Sequence, residues 1–183
     1  MSLAHAILGL LTYEPRTGYD LKAFFDNSIN FFWPAQLSQI YRDLGTLEGK
    51  GCVTYHIEPQ EGRPDRKVYN ITDEGRRVFS KWLEKFPSTL SSACRDEFSV
   101  RMFFGSQLSN RELVFQLTRF VREKQDELDS LTRITRIVEM YSQKNPPDKI
   151  YWQMLLRRQE LTILALIQWA EEAIHLLESS GSV

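Results

Sequence analysis

The sequence is poor in the residues and motifs from which most catalytic and metal sites are built. It contains two cysteines, Cys52 and Cys94, far apart and without a CxxC partner, so neither a disulfide framework nor a zinc site is expected. Its three histidines are isolated from other metal-ligand residues. The GxGxxG, P-loop, GxSxG and HExxH motifs are absent. We therefore predict no catalytic residue, no metal and no cofactor.

Long apolar runs and a strong net charge are also missing. No apolar run approaches the ~20 residues that span a bilayer. The first residues continue into a helical pattern and do not resemble a signal peptide, so we expect a cytoplasmic protein with no membrane contact. The net charge is −1 over 183 residues. Any affinity for nucleic acid must therefore come from a few well-placed Lys and Arg side chains.

The first third of the chain predicts three helices. Apolar residues at helical spacing predict the first over residues 3–12. Pro15 interrupts this pattern, and Thr17 is placed to cap a second helix that runs to about Phe25. The third is predicted to begin at Trp33-Pro34, because proline is tolerated in a first turn. The predicted apolar stripe of the second helix contains Tyr19, Leu21, Phe24 and Phe25.

A hairpin with a charged tip follows these helices. Residues 53–58 and 67–71 alternate apolar and polar side chains, as half-buried strands do, and Gly62 and Asp65 between them favour a turn. Thr72 is then placed to cap a fourth helix. The predicted buried stripe of that helix contains Val78, Phe79, Trp82, Leu83 and Phe86. Two successive helices followed by a two-stranded hairpin are the layout of a winged helix-turn-helix.

The third helix carries polar residues opposite its apolar stripe. Recognition helices use their N-terminal turns to reach base edges, where glutamine pairs with adenine and arginine with guanine. The candidate DNA-reading side chains of these turns are Gln36, Ser38, Gln39 and Arg42. Alternatively, they are only the solvated face of an amphipathic helix. Their place between another helix and a hairpin favours DNA contact.

The hairpin tip supplies the second set of candidates. It holds Arg63, Arg66 and Lys67 against Glu61 and Asp65. Guanidinium groups suit phosphates and narrow minor grooves, so the three basic residues are predicted to contact DNA. The alternative is a charged hairpin that contacts nothing.

The second half of the chain shows helical patterns only. A linker is predicted over Pro87–Ala93 and a short helix over Cys94–Phe104. Ser109 is placed to cap a long helix that continues to Gln143, a length of about 50 Å. The sequence Asn145-Pro146-Pro147-Asp148 ends it, and a second long helix follows.

Each long helix carries an apolar seam that needs a partner helix. The two can pair within one chain or with a second copy. We predict an isologous homodimer, because a two-fold protein reads a two-fold operator. The predicted dimerisation residues are Leu113, Leu117, Phe120, Leu128, Leu131, Tyr151, Leu155, Leu166 and Trp169.

Aromatic residues of the long helices are candidates for a small-molecule site. Tyr151, Trp152, Trp169 and Phe120 could line an apolar pocket for a small aromatic effector. The alternative is that they belong to the core, which is the commoner role of aromatic stripes at helical spacing. Trp152 and Trp169 are the candidate effector-binding residues.

Four segments in order resemble the PadR family of transcriptional regulators: AILGLLTYEPRTGYDLKAFF, FWPAQLSQIYRDLGTLEGKG, EGRPDRKVYNIT and DEGRRVF. The resemblance covers roughly residues 4–83. By pattern and length, the C-terminal half is similar to the helical dimerisation domain of the virulence-activator-like branch. The resemblance implies a winged helix-turn-helix, dimerisation through the C-terminal helices and control of transcription. Most relatives repress a neighbouring gene, and some respond to phenolic acids or drugs.

The resemblance also implies roles for single residues. Tyr41 falls on the recognition-helix tyrosine of the family. Gln36, Ser38 and Gln39 fall on polar positions that face DNA, and the basic wing positions fall on Arg63, Arg66 and Lys67. This chain departs from the family at Gly45-Thr46, where many members carry Lys or Arg that contact the DNA backbone, and at Leu37, which replaces a small or polar residue.

We therefore predict an α+β, mostly helical fold. A winged helix-turn-helix DNA-binding domain over residues 1–88 is followed by an all-α, antiparallel helical dimerisation domain over 89–183. The predicted function is a dimeric, sequence-specific transcriptional regulator, more a repressor than an activator, on double-stranded DNA with an inverted-repeat operator. The alternative is a winged-helix protein–protein interaction module without DNA readout.

Overall fold

The structure is a computed structural model that describes residues 2–28, 34–60, 62, 65–88 and 96–180. The chain divides into two compact units, Met1–Ser92 and Ala93–Val183. The first combines helices with a small antiparallel sheet, and the described part of the second is entirely helical. The predicted α+β, mostly helical class is confirmed. No helix within the described ranges is both long and apolar enough to span a membrane.

The first unit contains four helices and three strands. The helices are α1 (Ser2–Tyr13), α2 (Gly18–Asn27), α3 (Leu37–Gly49) and α4 (Asp73–Glu84). The strands are β1 (Arg16–Thr17), β2 (Val53–Glu58) and β3 (Arg66–Ile71). The sheet has the order β1-β3-β2 with both pairs antiparallel, and Tyr69 of β3 lies opposite Arg16 on one side and Tyr55 on the other.

Local capping explains where two of these helices begin. The Thr17 hydroxyl accepts a hydrogen bond from the backbone N–H of Asp20 at 3.1 Å, as predicted for the cap of α2. The Thr72 hydroxyl accepts from Gly75 N–H at 3.1 Å and donates to the carbonyl of Gly51 at 2.7 Å. Thr72 therefore caps α4 and ties it to the turn between α3 and β2.

Other predictions for this unit need correction. The third helix begins at Leu37 and not at Trp33-Pro34, because Gln36 is extended and occupies the N-cap position. Trp33 itself lies outside the described residues. The short strand β1 was not predicted, since two residues carry no periodic signal.

Several aromatic and apolar side chains predicted to be buried are exposed. Tyr19 of α2 is 67% exposed, whereas Leu21 and Phe25 fill the core. On and after α4, the exposed large side chains are Trp82, Leu83 and Phe86. Phe86 follows the end of the helix at Glu84 and is 77% exposed. Helical spacing identifies an apolar stripe but does not show how far the neighbouring elements extend over it.

The second unit is built around an antiparallel pair of long helices. A short helix α5 (Glu97–Phe103) precedes α6 (Asn110–Lys144) and α7 (Lys149–Ser180). The Ser109 hydroxyl caps α6, as predicted. Asn110 at the start of α6 donates to the carbonyl of Leu177 near the end of α7 at 3.0 Å. The predicted antiparallel arrangement is therefore confirmed within one chain.

The faces of α6 and α7 that pack together within one chain include part of the predicted dimerisation surface. Leu113, Leu117 and Leu131 of α6 are buried by their own chain, so in this conformation they are not available to a second subunit. On α7, Ile163 and Ala170 are buried in the same way. The predicted residues Phe120, Leu128 and Leu166 are half-buried, and Tyr151, Leu155 and Trp169 are exposed.

We predict opposite effects for two glycine substitutions in helices. A Cβ at Gly75 would lie 2.1 Å from the carbonyl oxygen of Cys52, a backbone atom that cannot easily move, whereas a Cβ at Gly45 would meet nothing within 4 Å. Gly75→Ala should lower the free energy of unfolding by about 2–4 kcal/mol. Gly45→Ala should raise it by about 0.5–1 kcal/mol through helix propensity. Urea denaturation measures both, and equal effects would contradict the close approach at Gly75.

Candidate nucleic-acid interface

The outward face of α3 presents the predicted polar residues. Ile40 and Leu44 on its inner face have no exposed surface and anchor the helix to the core of the first unit. Gln36, Ser38 and Arg42 are exposed on the other side. Arg42 makes no ion pair with any described residue. Its five N–H donors are therefore not engaged by a carboxylate of that part of the chain.

Gln39 has a local partner that the sequence did not indicate. Its side-chain oxygen accepts the backbone N–H of Gln36 at 3.0 Å, while Gln39 N–H donates to the carbonyl of Gln36, also at 3.0 Å. The Gln39 amide thus closes the first turn of α3 in the manner of a capping box. Its NH₂ group keeps two donors, so capping restricts which base atoms Gln39 can reach but does not prevent contact.

Tyr41 lies on α3 and packs against the start of α2. A Cβ at Gly18 would lie 2.6 Å from Cζ of Tyr41, so only glycine allows this approach. Tyr19 meets the Tyr41 ring edge-on at 6.1 Å between centroids. Partial burial, with Tyr19, Tyr69 and Asp20 nearby, raises the pKa of Tyr41, so its hydroxyl stays protonated at neutral pH. With 39% of its surface exposed, Tyr41 also retains a solvent-facing edge.

The two described basic residues of the hairpin are held in different ways. Nη2 of Arg66 lies 3.5 Å from Oδ2 of Asp20 on α2. Nζ of Lys67 lies 4.0 Å from the centre of the Tyr55 ring. The hydrogen bond with Tyr55 is the main cause that raises the pKa of Lys67, so this side chain is charged at neutral pH. Arg63 lies outside the described residues, so its predicted DNA contact stays a prediction.

The predicted effector residues do not form one pocket within a chain. Trp152 and Trp169 both lie on α7, 17 positions apart, which corresponds to about 25 Å along a helix. Trp169 meets Phe98 and Phe120 in an aromatic cluster, with the rings of the latter two stacked at 4.8 Å. The two tryptophans therefore do not line one pocket of a single chain, and their role as effector-binding residues stays a prediction.

Two grooves in the second unit have other linings. One of about 430 Å³ lies between α6 and α7, over Leu131 and Leu156. The other, of about 620 Å³, is formed by α5 and the start of α6, with Phe98 and Leu113 in its lining. Neither includes Trp152 or Trp169. Within the described ranges, no group of three or more His, Cys, Asp or Glu side chains is placed to hold a metal.

Three residues that contact the predicted DNA-binding side chains were not predicted from the sequence to belong to this surface. Tyr19 and Tyr55 were assigned to an apolar stripe and a strand, and Asp20 was given no role. Their contacts with Tyr41, Lys67 and Arg66 link residues that are 12 to 46 positions apart in the sequence. The one local signal was the spacing of Thr17 and Asp20, which is typical of a capped helix start.

This geometry defines the class of the protein. A helix with a buried inner face and a polar outer face follows a capped helix, and a two-stranded wing with basic residues lies beside both. The first unit is therefore a winged helix-turn-helix, and the second an antiparallel helical extension.

Comparisons with known proteins specify the family. Residues 7–81 match the model of the transcriptional regulator PadR-like family, and residues 94–178 match that of the virulence activator alpha C-terminal region. The negative transcriptional regulator PadR of Bacillus subtilis is 33% identical over 132 residues, which cover 70% of each chain. The chain belongs to the PadR family of transcriptional regulators.

Solved structures match nearly the whole chain. The B. subtilis PadR structure in complex with operator DNA has a TM-score of 0.84 at 26% identity and covers 97% of this chain and 99% of that one. The structure of that protein with p-coumaric acid has a TM-score of 0.74 at 25% identity over the same shares of the two chains. The structure of the Vibrio cholerae virulence activator AphA has a TM-score of 0.71 at 31% identity. It covers 97% of this chain and 99% of that one. The family consists of regulators and not enzymes, as the sequence predicted.

We predict that the Gln39 amide contributes to the stability of α3. Gln39→Ala should lower the free energy of unfolding by about 0.5–1 kcal/mol, because the Gln36 N–H loses its acceptor. Gln39→Glu should keep the wild-type value, since glutamate fills the same capping position. Ser38→Ala, in the same turn, is the control and should change little. Thermal unfolding followed by circular dichroism measures all three, and equal stability of the Ala and Glu variants would argue against capping.

Proposed function

We propose that this PadR-family regulator binds an inverted-repeat operator in double-stranded DNA as a homodimer and represses transcription by occupying it. The observation that carries the proposal is the exposed Arg42, which pairs with no carboxylate of the described residues and lies beside Gln36 and Ser38 on a helix whose other side is fixed in the core. Such a helix fits a major groove, and its Gln and Arg side chains suit adenine and guanine. B. subtilis PadR, which is solved with operator DNA and named as a negative regulator, supports the same function. Because transcription takes place there, we place the protein in the cytoplasm.

The proposed dimer uses a second apolar seam on α7. Leu155, Thr162, Trp169 and Leu176 are spaced by seven residues and all are exposed. Seven-residue spacing is the pattern by which helices pair along a seam. The inward face of α7, with Ile163 and Ala170, is already occupied by α6. Leu155 and Trp169 of this seam belong to the predicted dimerisation surface, and both remain accessible to a second copy.

The proposed regulation is by a small aromatic effector. B. subtilis PadR has been solved with p-coumaric acid, which supports this ligand class for the present chain. An effector can act only by binding one arrangement of the two DNA-binding heads better than another. The residues that would hold it here are not assigned, since Trp152 and Trp169 do not form one site within a single chain.

We expect Arg42 to carry DNA affinity. In fluorescence anisotropy with a duplex selected by the wild-type protein from a random library, Arg42→Ala should raise Kd at least tenfold, because a base or phosphate contact is lost in each subunit. Arg77→Ala is the matched control: it removes the same charge from α4 of the same unit, where Arg77 pairs with Glu74. Its Kd should change less than about twofold. If the two variants lost affinity equally, the outward face of α3 would not be the reading surface.

Dimerisation is tested by replacing leucine with glutamate at two positions of α7, in two separate variants. Leu155→Glu should convert the dimer into a monomer at micromolar concentration, because it places a charge in the proposed interface. Leu164→Glu is the control, since Leu164 has nearly the same exposure (42% against 39%) but lies two and a half turns away, on the opposite side of the helix. Light scattering coupled to gel filtration measures both masses. A dimer that survives Leu155→Glu would place the interface elsewhere.

A further inference from the structure

We propose that Asp20 is a positioning residue for DNA binding, because its carboxylate holds Arg66, and with it the wing, at a fixed place beside α3. This inference rests on the proposed function. Asp20 contacts no base or phosphate in this scheme. It acts through Arg66, which the sequence assigned to DNA contact.

The acceptor on Asp20 is itself held rigidly. Oδ2 of Asp20 accepts the backbone N–H of Thr17 at 3.0 Å and the Thr17 hydroxyl at 2.7 Å, while the N–H of Asp20 donates back to that hydroxyl. The same Oδ2 atom lies 3.5 Å from Nη2 of Arg66. The helix cap thus fixes the side-chain orientation of Asp20, and Arg66 contacts an oxygen that has little freedom to move.

Three elements of the reading surface meet at this point. Two residues before Asp20, Gly18 packs directly under the ring of Tyr41 from α3. Thr17 pairs with Val68 of β3, two positions from Arg66. The start of α2 therefore contacts both the recognition helix and the wing, and the ion pair lies on the wing side of this junction.

The charge on Asp20 persists at neutral pH. Partial burial raises the pKa of Asp20, but the hydrogen bonds from Thr17 and the charges of Arg66 and Arg16 outweigh it and hold the pKa below its ordinary value. A negative charge beside a proposed phosphate contact should by itself repel DNA. An exposed ion pair of this kind also adds little to folding stability. Besides closing the cap of α2, the carboxylate can therefore orient Arg66.

The two effects predict opposite signs for Asp20→Asn. Charge alone predicts tighter binding to every sequence, since the variant loses a negative charge. Positioning predicts that Kd for the selected operator duplex rises about three- to tenfold, because an exposed pair of modest strength is engaged in both subunits, while Kd for random duplex does not rise. Asp20→Glu keeps the charge and suits the same capping position, and should restore affinity.

The control for charge is Asp26→Asn. Asp26 lies six positions further along α2, about 9 Å by the helical rise, and pairs with Lys22, so the substitution changes the net charge equally without touching the ion pair between Asp20 and Arg66. Its Kd for the operator should stay equal to the wild-type value or fall slightly. Thermal unfolding of each variant checks that α2 remains folded.

An Arg66→Ala background separates positioning from a structural defect of α2. If Asp20 acts through Arg66, adding Asp20→Asn to Arg66→Ala produces no further loss of operator affinity. A loss of the same size in that background, or an Asp20→Asn variant that binds the operator as tightly as the wild type, overturns the inference. If the wild-type protein selects no DNA at all, the proposed function fails instead, so the two failures are distinguishable.

Discussion

The burial of one side of α3 is the constraint on which the reading surface depends. Ile40 and Leu44 are completely buried and Leu47 nearly so. Each such side chain stabilises the fold by about 1.5–3 kcal/mol relative to exposure to water. Because the helix cannot rotate without exposing them, the directions of Gln36, Ser38 and Arg42 are fixed as well. The interface is thus preformed on a rigid element, and Ser38 and Arg42 need no stabilising role of their own.

Much of the fold was predictable because the signals are local. Thr17, Thr72 and Ser109 cap their helices through contacts that span three residues, and the strand over Val53–Glu58 follows from simple alternation. The start of α3 was placed too early, since proline tolerance marks a permitted start and not a required one. The exposed positions of the α3 surface were also predictable, because helical spacing fixes which residues lie opposite the apolar stripe.

The features that could not be predicted depend on contacts between residues distant in sequence, or on which side of a helix its neighbour packs. The contact of Asp20 with Arg66 joins residues 46 positions apart, and the strand β1 exists only because β3 lies beside it. On α7, apolar residues occupy more than one side. Spacing alone identified the side with Leu155 and Trp169, but it could not show that α6 packs on the neighbouring side. For the same reason, Leu117 was assigned to contact with another subunit although its own chain buries it.

The exposed seam on α7 bears on the amount of active regulator in a cell. A lone protomer exposes Leu155, Trp169 and Leu176, so the association proposed above would add to the stability of its folded state. Association depends on the square of protomer concentration, and unpaired chains are the ones open to proteases. In the proposed dimer, the amount of active protein would therefore fall more steeply than the rate of synthesis, which would give promoter occupancy a threshold that needs no ligand.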